Sequence, residues 1–395
     1  MKHPISELTE KPSRLVIGFM SGTSADGIDA ALTRIEGYGT DTRVTLLSFL
    51  CKPFEPAVRD EILRLAGGGE AAAADFCKMN FLLGELYAEA GEELCRQAGI
   101  TPEEIDLIGN HGQTLWHIPQ KHRYLGHQFS STLQLGGDAV LAERFSCPVV
   151  GDFRVRDMAA GGLGAPLVPY TEYLLYRSET ECVALQNLGG IGNITVLPAG
   201  CSLNDIVAFD TGPGNMLIDS VVSHYTGGRR TYDPDGMMAS WGPVNAELLD
   251  YLMRDPYLDV TPPKTTGREY YGPAYMEKLY RYIEDHRISK QELLSTVTRY
   301  TAETVAFALR HFSREMPAKL IVGGGGSRNL TVMRHLRELL PGCRVMTQEE
   351  LGMNGDAKEA VAFAILANEA VFASCGNVPS ATGAAHPVVL GRISL

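Results

Sequence analysis

The chain lacks the hallmarks of several large protein classes. Its 395 residues carry 35 Lys and Arg against 47 Asp and Glu. A formal net charge of −12 leaves no general surface for nucleic acid, although an anionic small molecule needs only local donors. Eight cysteines (Cys51, Cys77, Cys95, Cys147, Cys182, Cys201, Cys343 and Cys375) are scattered without a Cys-x-x-Cys pair. That argues against a zinc site or a disulfide framework, and for free thiols in a reducing cytoplasm. No Gly-x-x-x-x-Gly-Lys-Ser/Thr loop occurs. The start, Met1 to Glu7, has no apolar signal core. The longest apolar helix candidate, Ala357 to Phe372, is interrupted by Lys358, Glu359, Asn368 and Glu369. It reads as a buried core helix and not as a membrane span. The expectation is a cytoplasmic protein with no nucleic-acid or membrane partner.

What is present is an α/β pattern. Hydrophobic residues make up 45% of the chain, enough for a large core, and the length suggests two or three domains. Apolar runs at Leu15–Met20 and Ile28–Ile35 read as paired strands. Between them lies Ser21-Gly22-Thr23-Ser24-Ala25-Asp26-Gly27. Glycines there let backbone N–H groups wrap an anion, hydroxyls donate to phosphate oxygens, and a carboxylate can hold Mg²⁺ directly or through water. The other reading is an ordinary hairpin with an Asp-Gly turn, but this turn is longer than a tight hairpin needs. Further strands are expected at 43–50 and 107–109, the latter ending at Asn110-His111-Gly112-Gln113-Thr114, with helices at 56–65 and 71–98.

A similar series begins again near residue 180. A strand at 182–188 leads to the turn Gly189-Gly190-Ile191-Gly192-Asn193, a returning strand at 194–197, and a strand at 206–209 running into Asp210-Thr211-Gly212-Pro213-Gly214-Asn215. A late strand at 318–322 enters Gly323-Gly324-Gly325-Gly326. Two strand–Gly-turn–strand units thus open two halves. We expect two facing domains of the actin-like, RNase H-like kind with an ATP cleft between them. The first would span 1–155, completed by about 370–395, and the second 156–369. ATP would meet a phosphate loop from each domain and a third Gly-rich turn at its adenosine.

These blocks resemble the anhydro-N-acetylmuramic acid kinases. The resemblance is carried by Met20 to Ala30, Gly109 to Thr114, Asp152 to Pro169, Gln186 to Asn193, Phe209 to Asn215 and Val322 to Gly326, in family order over nearly the whole chain. An N-terminal extension of about a dozen residues and a rather long segment from His117 to Phe129 are the departures. The resemblance implies an ATP-dependent enzyme that uses water to open the 1,6-anhydro ring of anhydro-N-acetylmuramic acid. It phosphorylates the freed 6-oxygen, giving N-acetylmuramic acid 6-phosphate and ADP in peptidoglycan recycling. The alternative is a sugar kinase of the same fold acting on an open-ring sugar. Two remoter rivals are a nucleotide-gated scaffold and a glycosidase that needs no ATP.

On this reading Asp210 is the catalytic base, against a plain turn-capping Asp. Nucleotide contacts fall to Gly22, Thr23, Ser24, Ala25, Asp26, Gly27, Ile28, Asp29, Gly189, Gly190, Asn193, Gly212, Gly214, Asn215, Gly323, Gly324 and Gly325. Asp26 is the candidate to place Mg²⁺ through water. Sugar contacts fall to His111, Gly112, Gln113, Thr114 and Glu359. Arg156, ahead of Arg154, is the candidate for the lactyl carboxylate, because planar guanidinium groups recognise carboxylates well. The expected partners are ATP and a small amino sugar, with a homodimer as one admissible assembly.

Overall fold

The computed structural model describes residues 4–68, 70–352 and 354–395. The chain divides into two compact units, residues 1–175 with 356–395, and residues 176–355. The boundaries expected at 155/156 and near 370 lie elsewhere because two helices are tied together inside the first unit. The carboxylate of Glu172 in helix Val168–Tyr176 pairs with Lys358. Tyr170 of the same helix donates to Glu369 at 2.9 Å. Both partners lie on helix Lys358–Val371.

The sheet of the first unit contains β1 (Ser13–Ser21), β2 (Gly27–Glu36), β3 (Arg43–Pro53), β4 (Leu107–Tyr124), β5 (His127–Leu135) and β6 (Val149–Gly151). Its order runs β3-β2-β1-β4-β6, closed by the C-terminal strand Arg392–Ser394. β1, β2 and β3 are an antiparallel meander, and β4 and β6 add in parallel. Ile17, Phe19, Ala30 and Leu32 are fully buried in the core beneath helix Ala73–Ala98. Helix Lys358–Val371 covers β1 and β4 at unusually short range. A Cβ on Gly18 would lie 1.8 Å from the carbonyl oxygen of Ala360, and one on Gly109 2.2 Å from that of Phe363. Only glycine admits that approach.

One expected strand is much longer than the sequence suggests. β4 does not end at 110–114 but runs on to Tyr124 and returns as β5, with Trp116 opposite Leu133 and Ile118 opposite Ser131. The mixed Gln, Thr, Ser and His residues of this arm look loop-like, yet cross-strand pairing accepts them.

The second unit contains β7 (Val183–Leu188), β8 (Ile191–Leu197), β9 (Val207–Pro213), β10 (Lys319–Gly323) and β11 (Arg344–Thr347), in the order β9-β8-β7-β10-β11. β7, β8 and β9 are antiparallel, and β10 and β11 add in parallel. Each unit therefore has three antiparallel strands followed by two parallel ones, the duplication expected from the sequence. Helix Lys290–Phe312 anchors this core through Leu293, Val297, Tyr300 and Val305. Its start is fixed by a capping box in which Ser289 accepts from the Glu292 N–H and Glu292 accepts from the Ser289 N–H.

Candidate functional site

In the first unit the polar residues gather where β1 ends. The turn between β1 and β2 closes through the Ala25 N–H on the Gly22 carbonyl at 3.1 Å, and Ala25, fully buried, has φ +53. Gln113 on β4 donates its Nε2–H to the same carbonyl at 3.1 Å. Tyr87 holds the buried Ser21 hydroxyl at 2.8 Å. Thr23, Ser24 and Asp26 are exposed on this braced turn. A Cβ on Gly22 would meet nothing closer than Ser24 Oγ at 3.7 Å, so the face over Gly22 is open. Gly27 differs, since its Cβ would strike the Lys52 carbonyl oxygen at 2.5 Å. Ile28 is buried and points its side chain into the core. Asp29 sits opposite Cys51, and burial pushes its carboxyl above the ordinary range against the lowering hydrogen bond with that thiol.

β4 is irregular at the same level. Between the pairs Phe19–Asn110 and Ser21–Gln113, β1 advances two residues while β4 advances three. This bulge turns His111 and Gly112 out of register, a device common beside active sites. His111 is buried and packs at a tilt against Phe363, with ring centroids 4.6 Å apart. Its Nδ1 lies 2.8 Å from the Gly112 carbonyl oxygen, and its Nε2 accepts from Arg154 Nε at 3.0 Å. The carbonyl requires the proton on Nδ1, which leaves Nε2 as the acceptor. Burial, and then the Arg154 charge, hold the imidazole well below its usual pKa, so it stays neutral. Arg154 also donates to the Gly164 carbonyl at 2.7 Å. Glu359, in the first turn of helix Lys358–Val371, completes the group: burial raises its carboxyl, while Lys358 and Arg154 oppose that rise. Thr114 accepts from Gln134 at 3.2 Å.

Arg156 does not join this group. Residues 153–159 form a helix. Two residues apart on a helix lie on nearly opposite faces, so Arg154 meets His111 while Arg156 is exposed.

In the second unit three glycine turns meet at one end of the sheet. The Gly189 carbonyl accepts from the Asn215 N–H at 2.8 Å, and the Gly190 carbonyl accepts from Gly214 at 2.9 Å and Met216 at 3.0 Å. Asn215 donates its side-chain amide to the Leu188 carbonyl at 3.1 Å. Gly324, with φ +77, would set a Cβ 2.6 Å from Asn187 Oδ1. Gly323 would meet Gln348, Gly214 the Gly189 carbonyl, and Gly212, at φ +137, lies against Thr304. Those four glycines let the turns pack. Gly189, Gly190 and Gly325 instead meet nothing closer than 3.6, 3.6 and 3.8 Å, so their faces are open.

Asp210 lies within β9, three residues before its end, opposite the exposed Asn193. Beyond its pairing with β8, Asp210 is anchored by segment 257–266. The Asp210 N–H donates to the Lys264 carbonyl at 3.2 Å, and its own carbonyl accepts from the Tyr257 hydroxyl at 2.8 Å. Its Oδ2 accepts from the Thr265 hydroxyl at 2.8 Å and the Thr266 N–H at 2.9 Å. Oδ1 accepts no hydrogen bond among the described residues. Burial raises the carboxyl above its ordinary value, and the Thr266 and Thr265 bonds only partly offset this. Among the described residues, the Thr266 hydroxyl, Gln186 Oε1 and Gln348 Oε1 are buried without partners, as is Gln113 Oε1 in the first unit. Buried orphan polar atoms are costly, and a bound polar ligand relieves them. The sequence gives little signal for Thr265 and Thr266 beyond a Thr-Thr-Gly run that follows Pro262-Pro263-Lys264.

No helix among the described residues is long and apolar enough to cross a membrane. None of them forms a cluster of three or more His, Cys, Asp or Glu able to cage a metal ion. The family model for anhydro-N-acetylmuramic acid kinase matches residues 14–395. A protein of that name from Caldanaerobacter subterraneus subsp. tengcongensis is 53% identical over 387 residues, 98% of this chain and 98% of that protein. One from Bacillus cereus strain G9842 is 45% identical over 383 residues, covering 96% and 98%. One from Clostridioides difficile strain 630 is 43% identical over 380 residues, covering 96% and 97%. At that identity and coverage, the chain belongs to the anhydro-N-acetylmuramic acid kinase family.

Proposed function

We propose that the protein is an ATP-dependent kinase that opens the 1,6-anhydro ring of anhydro-N-acetylmuramic acid with water and phosphorylates O6, in peptidoglycan recycling. The observation that carries this reading is the Asp210 carboxyl, buried, with Oδ2 held by two donors and Oδ1 unengaged. A raised carboxyl with one open oxygen suits a general base near neutral pH. Asp210 takes a proton from water as its oxygen adds to carbon 1. The bond from carbon 1 to the bridging oxygen breaks, and O6 becomes the nucleophile for the γ-phosphoryl group. ADP leaves, and the product gains one water and one phosphoryl group. Transfer itself relies on positioning and charge neutralisation.

The remaining residues divide by unit. In the first, the open turn at Gly22–Asp26 supports a role as phosphate cradle, with Thr23 and Ser24 as hydroxyl donors. Mg²⁺ typically keeps several waters and takes one or two carboxylates with substrate phosphates. Asp26 and Asp29 fit that pattern; the ion would neutralise developing phosphate charge. Arg154, His111 and Glu359 are the groups for the sugar, with Arg154 in place of Arg156 for the lactyl carboxylate. In the second unit, the open faces at Gly189, Gly190 and Gly325 suit close approach of a nucleotide. Eight free cysteines support a cytoplasmic location.

The test is incubation with ATP, Mg²⁺ and the anhydro sugar in ¹⁸O-labelled water, followed by mass analysis. Label at carbon 1 with none in the phosphate supports the coupled scheme. Phosphorylation of open-ring N-acetylmuramic acid alone would mean a different sugar kinase, and turnover without ATP would mean a hydrolase.

A further inference from the structure

Lys264 is an unusual residue to find beside a catalytic carboxylate. The residue is 8% exposed. The ammonium donates to the carbonyls of Leu258 at 2.9 Å and Tyr257 at 3.2 Å. It also lies over three aromatic rings, 4.6 Å from the centroid of Phe312, 4.8 Å from Tyr257 and 5.5 Å from Phe209. Such a cage favours a cation over a neutral amine. Two of its walls flank Asp210. Phe209 is the preceding residue, and Tyr257 carries the hydroxyl on the Asp210 carbonyl. The Lys264 carbonyl accepts from the Asp210 N–H, and the next two residues hold Oδ2.

We propose that Lys264 is a positioning residue for the reaction: its caged ammonium pins strap 264–266, and the strap orients the Asp210 carboxylate. This rests on Asp210 being the base. Lys264 touches no reacting atom and acts through the strap. Burial pulls the ammonium down to about 8, against the raising effects of Asp259, Asp210 and Asp255. These carboxylates and the Tyr257 phenol, itself pushed far up by burial, are the titratable groups around it; Phe209 and Phe312 contribute neutral rings. Loss of the proton removes the cation from the cage and frees the strap, so turnover falls on the alkaline side while substrate binding persists.

The experiment compares kcat, KM and pH profiles of the wild-type enzyme, Lys264→Met and Lys264→Arg. A misplaced catalytic group costs on the order of 10- to 100-fold. The Met variant should lose that much kcat with KM for ATP and sugar close to wild type. The wild type should show an alkaline limb in kcat near pH 8, absent from Lys264→Met. Arg keeps its charge to far higher pH and should recover much of the lost kcat while moving the limb upward. A wild-type kcat that stays level between about pH 7 and 9.5 would overturn the proposal, since kcat reports groups in the bound complex. So would a folded Met variant with wild-type kcat and an unchanged limb. If Lys264→Met does not fold, the wild-type profile and the Arg variant decide. A wild-type enzyme that does not turn over the anhydro sugar would overturn the functional reading as well; altered variants beside an active wild type bear on Lys264 alone.

Discussion

Arg154 donates its Nε–H to Nε2 of His111 at 3.0 Å, and that single bond fixes both the tautomer of the ring and the direction of the guanidinium. The His111 Nδ1 proton is committed to the Gly112 carbonyl. A neutral imidazole with both nitrogens engaged is a poor general base, which supports the proposal that this cluster orients the sugar while Asp210 takes the proton. The chain of contacts starts at a β-bulge, passes through an imidazole and ends on a cation beside Glu359.

Arg154 and Arg156 are therefore separable by mutation. Arg154→Lys keeps a charge but loses the planar fork. It should raise KM for the sugar by roughly 10-fold or more, about the value of one charge-assisted hydrogen bond. Arg156→Ala, at an exposed position, should leave KM within about twofold of wild type, as surface changes usually do. Steady-state kinetics with varied sugar at saturating ATP measures both. The reverse ranking would return the substrate role to Arg156.

Gly22→Val should weaken ATP binding without unfolding the chain. The space over Gly22 is open, with Ser24 Oγ the nearest atom at 3.7 Å, so the added carbons meet no wall. They would instead occupy the face on which a phosphate could approach the turn. The expected result is an unchanged melting temperature and a KM for ATP raised at least about 10-fold, roughly one lost charge-assisted contact. Unchanged KM in a folded variant would show that this turn does not cradle phosphate.

The parts legible in the sequence were those with a strong local signal. Apolar runs bounded by glycine turns located β1, β2 and β7, and the same runs implied a topology used twice. Asp210 stood out beside its Gly-Pro-Gly turn. The strap that holds it did not, because Thr265 and Thr266 lie 55 and 56 residues away and only the fold brings them to its carboxylate. Asp152 to Asp157 reads as a polar turn in the sequence, and only helical phase separates the Arg154 and Arg156 guanidinium groups. The long β4–β5 arm is hard to read because Gln, Thr, Ser and His residues interrupt its apolar positions.

Gly18 carries a different consequence. Its Cα lies against helix Lys358–Val371, where a Cβ would overlap the Ala360 carbonyl oxygen at 1.8 Å. That atom is helix backbone and cannot rotate away. Gly18→Ala must push the helix off β1, at a cost of about 3 kcal/mol or more, the upper end of overpacking penalties. Thermal unfolding should show a large drop in melting temperature or insoluble expression. A variant as stable as wild type would mean that the helix seats less closely on the strand than its backbone contacts describe.

Asp210→Asn tests the base and its environment together. The substitution keeps the shape and the acceptor oxygen but removes the proton-accepting charge. General-base loss commonly costs about 10²- to 10⁴-fold, so kcat should fall by that amount while KM for ATP and sugar changes little. In the wild type the carboxyl must be ionised to act, so kcat should fall as pH drops through a value above the ordinary carboxylate range, the direction set by burial. The stability effect has the opposite sign. A folded-state pKa above the unfolded one means that the native state resists ionisation, so the penalty on the wild type builds as pH rises above the unfolded value and is complete above the raised one. Asn carries no such penalty. The variant should equal or exceed the wild type in melting temperature at pH about 7–8, and the difference should shrink as pH falls below about 4, where both states of the wild type are protonated. Unfolding scans across that range and kcat on the same preparations give both readings. An Asn variant with wild-type turnover would remove Asp210 from the mechanism. One that is less stable at pH 8 would mean that the bonds from Thr265 and Thr266 outweigh the burial of the charge.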